Sequence, residues 1–270
     1  YEAATADLND VNMIDPFHLE AYGETTVNYN RDVEIFPVLN AIFEGIYGKS
    51  PYKSPTDMGV NMAGFCIVDD QVCRDASNQE IIRRYYQALT RAATDAGSPE
   101  EVYKIELLMK KDNITQSMRQ VVGVCNTLAA AQQSPAAAME LNDGRIVTGK
   151  TSALLGASAA LLLNAVKELA GIPHEVHVIA PSAIEPIQTL KTRYLGSHNP
   201  RLHTDEVLIA LSVSAATDPN AEKALAQLPK LADCQVHTSV MLSQVDINTF
   251  KKLRIQLTSE PVYEHKKLYR

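Results

Sequence analysis

Between Thr5 and Glu34 the chain brings together Asp7, Asp10, Asp15, His18, Glu20, Asn28, Asn30, Arg31, Asp32 and Glu34, with only short apolar steps between them. Carboxylates close to a histidine are the side chains of general acid–base chemistry, so His18, Glu20 and Asp32 are candidate catalytic residues. In Asn28-Tyr-Asn30-Arg31-Asp32 the guanidinium offers planar paired donors that match a phosphate or carboxylate. Asn28, Asn30 and Arg31 are therefore candidate ligand-binding residues. Such a segment cannot order itself by burial and needs a partner surface. The alternative is a solvated linker whose Asp and Asn side chains make local turns.

A second pattern, GxxxxGK[ST], runs from Gly144 to Thr151. In a phosphate-binding loop a buried strand precedes the first glycine, and small flexible residues then turn their amides toward the phosphates. Here Ala136–Leu141 precedes the glycine and reads as helix, while Arg145-Ile146-Val147 inside the pattern is strand by composition. The context of a nucleotide loop fails. Gly144 then reads as a turn, Gly149 as a close helix–sheet contact, and Thr151 or Ser152 as a helix N-cap. Lys150 is kept as a candidate that meets an anion at that helix end.

Metal chemistry finds no ligand set. His18-Leu-Glu20 resembles the HxE half of a zinc deaminase, but the PCxxC half is missing, as is any HExxH. The cysteines, Cys66, Cys73, Cys125 and Cys234, form no CxxC pair and read as reduced structural thiols. His174 and His177 lie in or beside an expected strand. His198 and His203 bracket a loop just before another, an acceptable place for a site on such a sheet. A structural role is the more economical reading for any single histidine. No residue names a cofactor.

The elements that position these groups follow from patterning. With 270 residues, 46% apolar and 21% charged, the chain can bury a core in each of two domains. A net charge of −7 supplies no basic field for nucleic acid or an anionic membrane, and no apolar run approaches a bilayer span. A cytoplasmic setting is expected. Residues 1–34 read as an extended polar segment and 35–135 as a helical subdomain. Its helices are expected at Ile35–Tyr47 before Gly48, from a Ser77/Glu80 capping box to Ala96, from Ser98-Pro99 to Lys111, and over Ile114–Gln132. Residues 136–270 read as an α/β subdomain. Its strands are expected at Gly144–Thr148, Glu175–Ala180, Glu206–Val213, Gln235–Leu242 and Arg254–Thr258. Helices are expected at Ser152–Ala170, Ile184–Tyr194, Asn220–Leu228 and Val245–Leu253.

The strings from Tyr1-Glu-Ala-Ala-Thr-Ala-Asp to Glu20-Ala-Tyr-Gly, Val27-Asn-Tyr-Asn-Arg-Asp-Val-Glu, Asp143-Gly-Arg-Ile-Val-Thr-Gly-Lys and Thr258-Ser-Glu-Pro-Val-Tyr resemble a bacterial family. It is the domain of unknown function 1846, also called uncharacterised protein family 0371. The resemblance covers essentially the whole chain and implies no established activity. It also implies that this chain is the C-terminal half of a protein about twice as long, whose own N-terminal half is its partner and carries a glycine-rich loop. The implied fold is a helical subdomain followed by a three-layer α/β subdomain with a deaminase-like strand-helix-strand layout, without the zinc ligands. Peptidase labels occur in the family, and these residues do not support them. Three functions are open: a site for an anionic ligand shared with the N-terminal half, with His18, Glu20 or Asp32 in acid–base or metal roles; a self-associating or partner-binding module; and a scaffold.

Overall fold

The structure, a computed structural model, describes residues 42, 44–48, 70–94 and 96–264. It divides between Arg119 and Gln120 into two compact units. Residues 42 and 44–47 are helical, and Gly48, at φ 70°, donates its N–H to Glu44 O at 2.9 Å, as a helix-ending glycine does. The rest of the expected 35–47 helix lies outside the described residues.

In the first unit, α1 (Asp70–Ala93) and α2 (Pro99–Lys111) bury Ile81, Ile82, Tyr85, Tyr86 and Ala88 from one helix and Ile105, Leu108 and Met109 from the other. The expected Ser77/Glu80 box is not a helix start. With no proline or glycine between Asp70 and Ser77 to interrupt it, the helix extends back to Asp70 among the described residues, and Ser77 is buried within it. Glu80 instead pairs with Arg83 and Arg84, at 2.6 and 2.8 Å. Ser98 does cap α2, its Oγ accepting the Glu101 N–H at 3.3 Å ahead of Pro99 at the first helical position. Ser98→Ala is expected to lower the unfolding free energy of this unit by about 1 kcal/mol, read as a lower urea midpoint with unchanged slope.

The second unit is a mixed α/β fold. A short 3-10 turn at Gln116–Met118 ends the first unit, so the helix expected over Ile114–Gln132 begins only at Gln120, as α3 (Gln120–Gln132). The sheet runs in the order β2-β1-β3-β4, with β1 (Ala136–Glu140), β2 (Ile146–Lys150), β3 (Gln235–Thr238) and β4 (Gln256–Ser259). β1 is antiparallel to both β2 and β3, and β3 is parallel to β4. α3 covers one face, packing Val121 and Cys125 on Ala136 and Ala138. α4 (Ala157–Leu169) covers the other, its Leu161, Leu162, Ala165 and Val166 sharing a core with Ala137, Met139 and Val236. Alternate β1 side chains thus serve opposite faces, as the two-residue period of a strand requires.

Beyond α4 lie α5 (Pro181–Thr189), continued by a π-helical turn at Leu190–Tyr194, then α6 (Thr204–Ala215), α7 (Pro219–Leu225) and α8 (Gln244–Lys252). Val207, Ala210, Leu211, Ala221, Ala224 and Phe250 bring α6, α7 and α8 into the same core.

Four expectations are overturned here. Ala136–Glu140 is the strand β1, although alanine is the best helix former. Its small side chains, 0–1% exposed from Ala136 to Ala138, let helices close on both faces of a central strand. Glu175–Ala180 forms turns and bends, so the strand-helix-strand layout lacks its second strand. Glu206–Val213 is helical, because a continuous apolar run does not distinguish a buried strand from a helix and the Glu206 side chain accepts the His203 N–H at 2.8 Å to start one. Neither Thr151 nor Ser152 caps α4, whose N-cap is Gly156; Ser152 Oγ accepts the N–H groups of Leu154 and Leu155 in a turn before it.

The GxxxxGK[ST] stretch is a hairpin. Gly144, at φ 84°, turns the chain between β1 and β2, and Gly149 sits inside β2 opposite Ala137. Its backbone lies directly under α4, which accounts for glycine there. From Ile146 to Lys150 the stretch is an edge strand in register with β1, not a loop between a strand and a helix.

Candidate functional site

His18, Glu20, Asn28, Asn30, Arg31 and Asp32 lie outside the described residues. Lys150 is exposed at the end of β2 opposite Ala136, and α4 begins only at Ala157. It does not stand at a helix end, and no sequence-predicted ligand is brought beside it among the described residues. His174, His177 and His198 are exposed in loops. His174 contributes its carbonyl, which accepts from the buried Lys167 Nζ at 2.7 Å.

His203 is different. It is the N-cap residue of α6, and its imidazole meets Asp246, in the first turn of α8, with 3.0 Å between Nδ1 and Oδ2. Asp246 is 4% exposed and accepts twice more, from Ser243 Oγ at 2.8 Å and from the Thr204 N–H at 2.9 Å. A carboxylate saturated by three donors is held ionised, and it can only accept, so Nδ1 carries the proton and Nε2 is left as the working nitrogen. Burial alone would raise the Asp246 pKa; the His203 hydrogen bond and charge, with Thr204 and Ser243, outweigh it and set the pKa below the usual 3.8. For His203 the Asp246 hydrogen bond is the largest influence and raises the imidazole above 6.5 against partial burial, with Lys191 opposing and Glu206 assisting.

A neighbouring network fixes the backbone that carries His203. Glu206, which accepts the His203 N–H, also accepts from the buried Lys191 Nζ at 2.7 Å. The same ammonium donates to Arg201 O at 2.6 Å, so the π-helical turn, the 197–203 loop and the start of α6 share one cation. Leu202 is buried, with its N–H on Leu154 O at 2.9 Å. The imidazole, 28% exposed along its side chain, is thus held from behind on rigid elements and open in front. Chemically it can carry a proton to or from a bound group through Nε2, or, protonated, donate to an anion.

A second polar cluster was missed by sequence reasoning. His237 on β3 is fully buried, with Nδ1 2.9 Å from Thr258 Oγ1 and Nε2 3.2 Å from Glu260 Oε1, which also accepts from Asn126 Nδ2 at 2.7 Å. Cys125 stands beside it; burial first, and then the Glu260 charge, push its thiol up to about 12, which makes it an inert packing residue rather than a nucleophile. Cys125 and Cys234 are free and buried; Cys66 and the side chain of Cys73 lie outside the described residues. Among the described residues no group of three or more His, Cys, Asp or Glu side chains is placed to hold a metal ion, and no helix is long and apolar enough to cross a membrane.

A helical unit, followed by a mixed-sheet α/β unit with an aspartate-held histidine where two helices start, defines the class: a two-unit α/β protein that carries a candidate proton-transfer pair among its described residues. Residues 1–113 match the domain of unknown function DUF1846, N-terminal, and residues 117–269 match the domain of unknown function DUF1846, C-terminal. The chain belongs to this family. It is 57% identical over 266 residues to a UPF0371 protein of Corynebacterium aurimucosum, covering 98% of this chain and 53% of that one. It is 57% identical over 269 residues to one of Corynebacterium diphtheriae (100% and 54%) and 53% identical over 270 residues to one of Streptococcus pyogenes serotype M3 (100% and 55%). The chain spans about half the length of these relatives, whose names state no activity. Because both family domains are matched, the expectation of a C-terminal half partnered by an absent N-terminal one is corrected: residues 1–113 carry the match to the N-terminal domain.

Proposed function

We propose that this chain forms part of a site that binds an anionic small ligand, of the phosphate or carboxylate class, and exchanges a proton with it through His203. The observation that supports this reading is the 3.0 Å contact to the buried Asp246, which fixes the imidazole tautomer, raises its pKa and leaves Nε2 to take up a proton and, once protonated, to donate. A histidine raised above 6.5 holds its proton to higher pH than a free imidazole, and the cation is the state that meets an anion. The polar segment of residues 5–34 is a separate candidate in this reading, with Asn28, Asn30 and Arg31 on an anion and His18, Glu20 or Asp32 in acid–base roles. Lys150, exposed at the end of β2 in the unit that carries His203, is a further candidate cation.

Isothermal titration of the chain and of the full-length family protein with inorganic phosphate, nucleotides and phosphorylated metabolites tests it. Affinity is expected to be about tenfold higher at pH 6 than at pH 8, and this difference is expected to vanish in His203→Asn. Arg31→Ala is expected to weaken binding at both pH values. Binding that is the same in His203→Asn and in the parent at both pH values would remove His203 from the site.

A second reading, a non-catalytic oligomerisation or scaffold module, is favoured by one specific feature, the apolar outer face of α6.

A further inference from the structure

From Val207 to Thr217 the chain carries no charged residue, so α6 is apolar around most of its circumference. A helix of this kind is ordinarily covered on both sides. One side is: Val207, Ala210 and Leu211 enter the core of the second unit. The other is open. Ile209 is 61% and Val213 66% exposed, and Ser212 and Ala216, also exposed, lie in the row beside them. The π-helical turn is tied to the first turn of α6 by the Lys191–Glu206 pair at 2.7 Å, and it adds Leu190, Tyr194 and Leu195 at 50%, 69% and 71% exposure.

We propose that this face is the self-association surface of the protein, covered by α6 and the π-helical turn of a second copy. Three features select that occupant. The first is shape. Ile209 and Val213 form an i, i+4 ridge, and Ser212 and Ala216 form a shallow i, i+4 row next to it. About a two-fold axis the ridge of each copy enters the row of the other, the commonest class of helix packing and the self-complementary contact of a symmetric dimer. The second is charge. Each chain carries −7, so two copies repel except across a face that holds no charge, and this one holds none between Val207 and Thr217. Arg193, stacked 5.7 Å from the Tyr194 ring, and Asp205 put both signs at its rim. The third is area. The five large side chains expose roughly 600 Å² in all, so their full burial in two copies would remove about 1,200 Å², the low end for a specific interface.

The inference is independent of the anion site, because Ile209 and Val213 lie one and two turns beyond the His203–Glu206 cap and take no part in it. Sedimentation velocity of the 270-residue chain across low-micromolar to high-micromolar concentration tests it. A concentration-dependent dimer is expected, with the dimer dissociation constant raised roughly a hundredfold by Ile209→Glu or Val213→Glu. Circular dichroism and the urea midpoint are expected to stay unchanged, since both side chains are already exposed. Ser212→Arg, which alters an exposed polar position, serves if either variant fails to fold and is expected to weaken the dimer likewise. Tyr103→Glu, an exposed aromatic of α2, is the control expected to have no effect. A chain that stays monomeric throughout, or a dimer that persists in Ile209→Glu and Ser212→Arg, would overturn the proposal; in the monomeric case the face is covered by something other than a second copy.

Discussion

Gly149→Ala is expected to destabilise the second unit by about 3–5 kcal/mol, or to prevent it from folding. The cause is steric and local. A Cβ built at position 149 would lie 2.6 Å from both Ala157 O and Leu161 Cα, and closer still to Leu161 N. All three neighbours are backbone atoms of α4, so no side chain can swing away. Relief requires the helix to lift off the sheet, and that would open the core in which Leu161, Leu162, Ala165 and Val166 are each fully buried. Lifting a helix of this kind forfeits close contacts along its whole inner face rather than at one residue. Gly144→Ala is the instructive comparison. There a Cβ would meet nothing within 4 Å, and only the positive φ of 84° opposes it, so a loss near 1 kcal/mol is expected. Urea unfolding followed by circular dichroism separates the two. A Gly149→Ala variant within about 1 kcal/mol of the parent would mean that the helix and strand are less closely packed than these distances require.

The same glycine shows how much of the fold local sequence carries. Gly149 as a close-packing position, Gly144 as a turn and Ser98-Pro99 as a helix start all follow from rules that act within a few residues, and each is found. The helices at 157–169, 181–189, 219–225 and 244–252 fall inside or beside their expected spans for the same reason. What local rules cannot supply is the environment. Three consecutive alanines favour a helix until two helices close on them, and Val207–Val213 is equally apolar as strand or helix until one face of it is found in solvent. The candidate site fails in the same way. His203 is legible as a loop histidine, and Ser243-Gln-Val-Asp246 carries the local signal of a helix start, an N-cap serine with an acid three residues on. That the cap acid of one helix would be the partner of the cap histidine of another, 43 positions away, is a property of the packing of α6 against α8 and of nothing nearer. His237 and Glu260 are joined in the same long-range manner, across the parallel strand pair β3 and β4.

Removing the Asp246 carboxylate is the second large effect, and pH decides its size. Asp246→Ala leaves the Thr204 N–H, the Ser243 hydroxyl and the His203 Nδ1–H without their common acceptor in a buried position, and a loss of about 3–5 kcal/mol is expected. Asp246→Asn keeps the shape and one acceptor oxygen, so a smaller loss of roughly 2–3 kcal/mol is expected. The pH dependence follows from the two shifts. The Asp246 pKa lies below its ordinary 3.8, so its stabilising contribution is present above that value and is lost as the pH falls through the lowered folded value. The His203 pKa lies above its ordinary 6.5, so its contribution is complete below 6.5 and is lost as the pH rises through the raised folded value. The stability difference between the parent and Asp246→Asn is therefore expected to be greatest between these two ordinary values, and to shrink in acid below them and in base above them. Side-chain NMR of the imidazole gives the independent check. The His203 titration is expected to drop below its parent value in Asp246→Asn, because the carboxylate charge that raises it and strengthens its hydrogen bond is gone while burial and Lys191 still oppose the cation. An unchanged His203 titration would show that Asp246 holds the two helices together without tuning the imidazole. The pair would then be a structural clasp, and the proposal that His203 exchanges a proton with a ligand would lose its support.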